Sequence, residues 1–274
     1  MTGHTKQEPR LAGGEDASLR GKVAIVTGAS RGIGAAIALE LAQAGVDSVI
    51  VARDEAMLNS VAERARSFGT RVEVVAGDLR NVETVSWTID RALAAFQKID
   101  ILVNNAGATT RGHFLELPDS DWEDGFGLKF FGAMRLCRAA WPTLVQTSGS
   151  VVNIAGAGGR TPDIYFAIGS PVNAALNSFS KFLAELGIRD GVRVNCINPG
   201  LVRTDRLTKR LTLESRERRI DPAEMEYQLS RELRIARIGE PEDIAALVRF
   251  VLSDRGRLLQ GAAIDADAGL TKTL

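Results

Sequence analysis

The chain has 274 residues, 45% apolar and 25% charged, with Lys plus Arg and Asp plus Glu balanced at 34 each. That length suits one large α/β domain carrying elaborations, and the composition is that of a globular protein able to bury a sizeable core. The zero net charge gives no reason to expect nucleic acid or an anionic membrane as partner, and no apolar run reaches the ~18 residues that span a bilayer.

Cys137 and Cys196 with His4 and His113 are too few and too scattered for a ligand set, so no metal is expected. Sparse cysteines fit a reducing compartment and the first 20 residues are polar and Gly-rich, so the expected location is the cytoplasm. Residues 1–20 read as a flexible tail and 21–274 as a single dinucleotide-binding domain. Short β-branched runs at 23–27, 48–51, 71–75, 99–104, 150–154, 192–197 and 262–265 alternate with longer amphipathic segments, such as 34–44, 54–68 and 81–97. That alternation predicts a doubly wound, Rossmann-type sheet of seven parallel strands in three α/β/α layers. The stretch 204–240 is long, Arg-rich and without a strand signal, and is expected to form a helical lid.

Directly after the first strand comes TGASRGIG at 27–34, leading into a helix. Gly28 permits the tight turn, Gly32 lets the backbone approach a pyrophosphate, Gly34 allows close helix packing, and the helix N-terminus offers N–H donors to the anion. Ser30, Arg31 and Ile33 complete the candidate cradle. This GxxxGxG spacing, NNAG at 104–107, Asp78-Leu79, Asn198-Pro-Gly200 and RIGEPEDIA at 237–245 together resemble the short-chain dehydrogenase/reductase family over roughly residues 20–270. The resemblance implies that Asp78 and Leu79 flank an adenine, that Ala106 and Gly107 pass under the ribose with Asn104 in the same cofactor-binding set, and that Pro199, Gly200 and Thr204 frame a nicotinamide. It also implies a homodimer or homotetramer through helices around 119–146 and 170–187. Where an acidic residue would select an unphosphorylated ribose, the second strand ends Ala52-Arg53; with Arg31, this favours NADP(H) over NAD(H).

The family's catalytic Asn, Ser, Tyr and Lys fall, by register, on Lys129, Gly156, Gly169 and Asn173, with Gly156 and Gly169 thirteen positions apart as in the family. The usual phenol acid and its supporting Ser are therefore absent from those positions, whereas Asn and Lys have exchanged places. Lys129 and Asn173 are candidate catalytic residues, able to restore an ammonium and an amide beside the nicotinamide ribose. Tyr165 is a third candidate: Ser170-Pro171 predicts a helix start with Ser170 as N-cap, leaving Tyr165 on a loop from which its hydroxyl can fold into the pocket. His113, with Arg111 nearby, falls where substrate approaches in this family. Arg203 and Arg206 at the foot of the lid suit a carboxylate or phosphate, which makes an acidic small-molecule substrate an expectation. The C-terminal Asp265-Ala-Asp-Ala-Gly269 departs from the family's paired glycine.

Three functions follow from these features. One is an NADP(H)-dependent oxidoreductase acting on a carbonyl or alcohol with a non-standard active site. Another is a catalytically silent NADP(H)-binding sensor or assembly subunit. The third is a lyase or isomerase that uses a desolvated Lys129 as a Schiff-base amine.

Overall fold

In the computed structural model, which describes residues 17–272, the β-branched runs form one parallel sheet of seven strands. Its strands are β1 (Val23–Thr27), β2 (Asp47–Ala52), β3 (Val72–Ala76), β4 (Ile101–Asn104), β5 (Ser150–Ile154), β6 (Arg193–Pro199) and β7 (Ala263–Ala266), in the order β3-β2-β1-β4-β5-β6-β7. β1 and β5 are buried along their whole length, as central strands of a parallel sheet covered on both faces must be. One face is covered by α1 (Gly32–Gln43), α2 (Glu55–Arg66) and α9 (Pro241–Leu252), with Ile37, Leu41, Leu58 and Val248 in the core. The other face is covered by α3 (Val82–Phe96), α5 (Gly132–Gln146) and α6 (Gly169–Asp190), through Ile89, Leu136, Leu144 and Leu183.

The strand order reverses between β1 and β4, both paired to each other in parallel, so a crevice opens beyond their carboxyl ends. That is where open α/β sheets hold their ligands. The glycine loop leaves β1 there, and residues 105–107 leave β4 on the opposite bank.

Two local expectations need correction. The tail expected over 1–20 lies outside the described residues as far as residue 16, but Ala17–Leu19 forms a 3-10 turn whose Leu19 is fully buried, so the packed unit starts before residue 21. α6 begins at Gly169 rather than at Pro171, and Ser170 is not its cap; its buried hydroxyl has no hydrogen-bond partner among the described residues. Pro171 then sits in the first helical turn, where a missing N–H costs no intrahelical bond. In addition, α4 (Asp119–Phe126) and α5 run on through a π-helical turn, Gly127–Phe131, that 3.6-residue periodicity does not reveal.

The stretch between β6 and α9 holds α7 (Asp205–Arg218) and α8 (Pro222–Glu232), with a small apolar cluster of their own around Leu207, Leu211, Met225 and Leu229. Its two ends meet in a backbone neck, where Arg203 N donates to Gly239 O at 2.7 Å and Gly239 N to Leu201 O at 2.9 Å. Among the described residues no helix is long and apolar enough to cross a membrane.

Candidate functional site

The glycine loop owes its shape to two partners from across the crevice. Thr27 Oγ1 accepts from the amides of Asn105 and Ala106 at 2.9 and 3.0 Å and donates to Val103 O. Asn105 Nδ2 donates to the carbonyls of Thr27 and Gly28 at 3.0 and 3.3 Å. Gly28 has φ +67 and Gly32 φ +55, both in the left-handed region that favours glycine. A side chain at Gly34 would fall on the carbonyl oxygen of Gly28, so the helix can approach the strand only because none is there. α1 carries no side-chain cap and no acidic residue in its first turn. The amides around Gly32, Ile33 and Gly34 therefore face the crevice as donors suited to an anion.

Around that cradle, Ser30 is half-buried and Ile33 packs on the core, while Arg31 reaches toward Asp205 of α7 at 3.9 Å across solvent. Arg53 stands exposed just past β2, with no ion-pair partner among the described residues. Asp78 is held by Arg80, from both its amide at 3.0 Å and its guanidinium at 2.6 Å, and Leu79 is buried beside it. Gly107 lies over the Lys129 stem, and Thr204 packs against Gly32. Pro199 ends β6, and Gly200 backs closely onto Asp267.

Asn104 is a correction. It turns inward, where its Nδ2 donates to Asn153 Oδ1 at 2.9 Å and approaches Cys137 Sγ, and it knits β4 to β5 instead of facing the crevice. Its neighbour Asn105, not singled out from sequence, does the work at the loop.

The catalytic candidates divide. Lys129 and Asn173 line one cavity of about 40 Å³, together with Gly107, Ala108, Thr109, Phe166, Gly169, Val172 and Arg206. Lys129 rides on the π-helical turn, and its Nζ donates to Ala155 O at 2.7 Å. Burial, followed by the neighbouring Arg206 charge, pushes the ammonium down from 10.5 to about 8. Asn173 is 2% exposed and its Oδ1 has no partner among the described residues. Below it Asn177 donates to Asn198 Oδ1 at 3.0 Å, Asn198 to Asp265 Oδ1 at 3.0 Å, and Arg160 pairs with Asp265 at 2.8 Å. Asp265 thus anchors the floor, and Asp267 caps the following turn through the amides of Gly269 and Thr271.

Tyr165, by contrast, is 56% exposed and is absent from the cavity wall; the ring that enters is that of Phe166, a residue sequence reasoning passed over. His113 also departs from expectation, for it is exposed and its Nδ1 accepts from Leu115 N to cap a short 3-10 turn. Arg203 is fully engaged by Glu226 and Glu240 at the neck of the α7–α8 excursion and is not free for a ligand. Arg206 does reach the cavity, where its Nη2 donates to Gly107 O at 3.0 Å.

A family model described as Enoyl-(Acyl carrier protein) reductase matches residues 28–271. An uncharacterized oxidoreductase of Mycobacterium tuberculosis is 37% identical over 252 residues, 91% of this chain and 92% of its own length. A 3-oxoacyl-(acyl-carrier-protein) reductase of Aquifex aeolicus is 31% identical over 254 residues, 92% of this chain and 98% of its own. The crystal structure of the L-sorbose reductase of Gluconobacter frateurii, complexed with NADPH and L-sorbose, has a TM-score of 0.91 to this fold at 35% identity, covering 94% of this chain and 100% of that one. Because these matches run from the glycine loop to the C-terminal loop, the chain belongs to the short-chain dehydrogenase/reductase family of oxidoreductases.

Proposed function

We propose that the protein is an NADP(H)-dependent oxidoreductase that interconverts a carbonyl and an alcohol on a small acidic substrate, with Lys129 as its proton-transferring group. The observation that carries this reading is the Lys129 ammonium, in one cavity with Asn173, with a proton affinity brought near neutrality. The residues fit the dinucleotide. The uncapped α1 N-terminus suits its pyrophosphate, and Arg53, without an ion-pair partner among the described residues, suits a ribose phosphate. The orphaned, buried Asn173 Oδ1 suits a ribose hydroxyl, since a buried acceptor without a donor costs stability until a ligand supplies one. The NADPH in the L-sorbose reductase structure speaks for the same preference.

When bound, the nicotinamide supplies or accepts the hydride. The chain's own residues orient and protonate. Lys129 Nζ holds its proton against the Ala155 carbonyl and passes it to the carbonyl oxygen of the substrate. Arg206, on the same wall, meets the substrate's anionic group. The α7–α8 excursion acts as a lid that keeps water from the reacting pair. The family resemblance supports a homo-oligomer, and the two buried free thiols, Cys137 and Cys196, agree with a reducing cytoplasm.

The test is NADPH oxidation with a panel of aldehydes and oxo acids, run on the wild type and on Lys129→Met. Turnover that falls at least 100-fold in the variant, with the NADPH Kd held, supports the reading. Tight NADPH binding with no turnover across the panel refutes catalysis and leaves a silent dinucleotide binder.

A further inference from the structure

The wall opposite Lys129 says more about what enters. A methyl group at Gly169 would overlap the Cζ, Cε1 and Cε2 atoms of Phe166, and one at Gly158 would come within 2.9 Å of its Cδ1. The Phe166 ring therefore lies in a bed that only two glycines leave open. The Arg111 guanidinium carbon sits 4.7 Å from the ring centroid, and that guanidinium is itself held by Asp163 at 2.9 Å. Gly112 N donates to Tyr165 O at 3.2 Å and so joins the loop after β4 to the loop after β5 around the ring. The cavity left between Phe166, Lys129 and Asn173 is about 40 Å³. That is room for roughly three water-sized groups.

We propose that Phe166 is a specificity-determining residue: it fills the space of the family's phenol at position 169 and limits the innermost pocket to one small substituent on the reacting carbonyl. The substrate is then an aldehyde or a methyl ketone, with any larger part extending toward Arg206. This rests on the oxidoreductase reading above. It also accounts for Gly169 in physical terms, because no residue with a side chain fits there while the ring stays in place.

Two experiments on the full chain test it. In the first, melting temperatures are compared for wild type, Gly169→Ala, Phe166→Ala and the double variant. Gly169→Ala costs roughly 5 °C in the wild-type background through overpacking, and less than about 1 °C once the ring is gone. An equal cost in both backgrounds overturns the placement of the ring; Phe166→Leu serves in place of Phe166→Ala should the latter fail to fold. In the second, kcat/KM is compared for 4-oxopentanoate and 4-oxohexanoate, which differ by one methylene on the far side of the carbonyl. Wild type prefers the methyl ketone at least tenfold, about what one methylene can contribute, and Phe166→Ala brings the ratio near one. An unchanged ratio overturns the specificity claim. Absence of turnover with both oxo acids in both proteins overturns the specificity claim, whereas the oxidoreductase reading stands or falls on the wider panel above; the melting series decides separately whether Phe166 occupies the phenol's place.

Discussion

Replacing Lys129 by methionine should disable the protein and change its stability in a pH-dependent way, with the balance moving toward wild type as pH rises. The ammonium is held at about 8 against an ordinary 10.5, and at about 1.4 kcal/mol per pH unit this fall is a folding cost of about 3 kcal/mol. Below pH 8 both folded and unfolded chains carry the proton, and the folded state bears the full cost. Between about pH 8 and 10.5 the unfolded chain keeps a proton that the folded chain has released, so wild-type stability climbs with pH. Above that window the cost is gone. Lys129→Met never bears it, but it loses the bond to Ala155 O, a pH-independent offset of about 1–3 kcal/mol in the other direction. The pH-dependent part is therefore the decisive quantity: the stability of wild type relative to the variant should rise by about 3 kcal/mol between pH 7.5 and 10.5. Urea unfolding of both proteins at several pH values reads it directly, and titrating groups not coupled to Lys129 cancel in the difference. Parallel pH curves for the two proteins would refute the claim that Lys129 is a buried cation.

The same titration should appear in the rate. For carbonyl reduction the proton must be on Nζ, so kcat is expected to fall as pH rises through about 8, and a flat profile to pH 9.5 would exclude Lys129 as the donor. Arg53→Ala should weaken NADPH about tenfold or more, the worth of a charge-assisted contact, and leave NADH unchanged, as measured by fluorescence titration of both. Asn104→Ala should cost about 1–3 kcal/mol in urea unfolding, because Asn153 Oδ1 loses its donor in the buried sheet, with the NADPH Kd unaltered; a Kd change without a stability change would restore Asn104 to the cofactor site.

How much of this could be read from the residues depends on whether the governing interactions are local. The β-branched runs and the glycine loop are local signals, and the strands form within a few residues of where alternation places them. The reason for Gly34 is legible as well, since a tight strand-to-helix turn leaves no room for a Cβ. The division of labour between Asn104 and Asn105 is harder. It depends on Asn104 being the last residue of β4, with its side chain turned to Asn153 of the neighbouring strand, and strand ends are the least certain part of any periodicity argument. A hydroxyl at the end of β1, Thr27, was the available hint that the second Asn is the one needed at the loop.

The choice between Tyr165 and Phe166 lies beyond such signals. Neighbouring aromatic residues on a loop point to opposite sides, and which of them enters is decided by a different loop. Arg111 and Gly112, more than fifty positions earlier, grip the ring and the backbone of 163–166. Register alone places Gly169 in the family pattern and reads the glycine as a lost function. The packing gives it a present one, because the ring of Phe166 takes the volume that a side chain at 169 would need. Lys129 and Asn173 belong to the same argument. They are distant in sequence and share a cavity only because a π-helical turn carries Lys129 over Ala155 while α6, starting at Gly169, carries Asn173 up from below. An exchange of residue types between two such positions preserves the local chemistry only if both elements keep their geometry, so the π turn is as much a part of the candidate site as the lysine it bears.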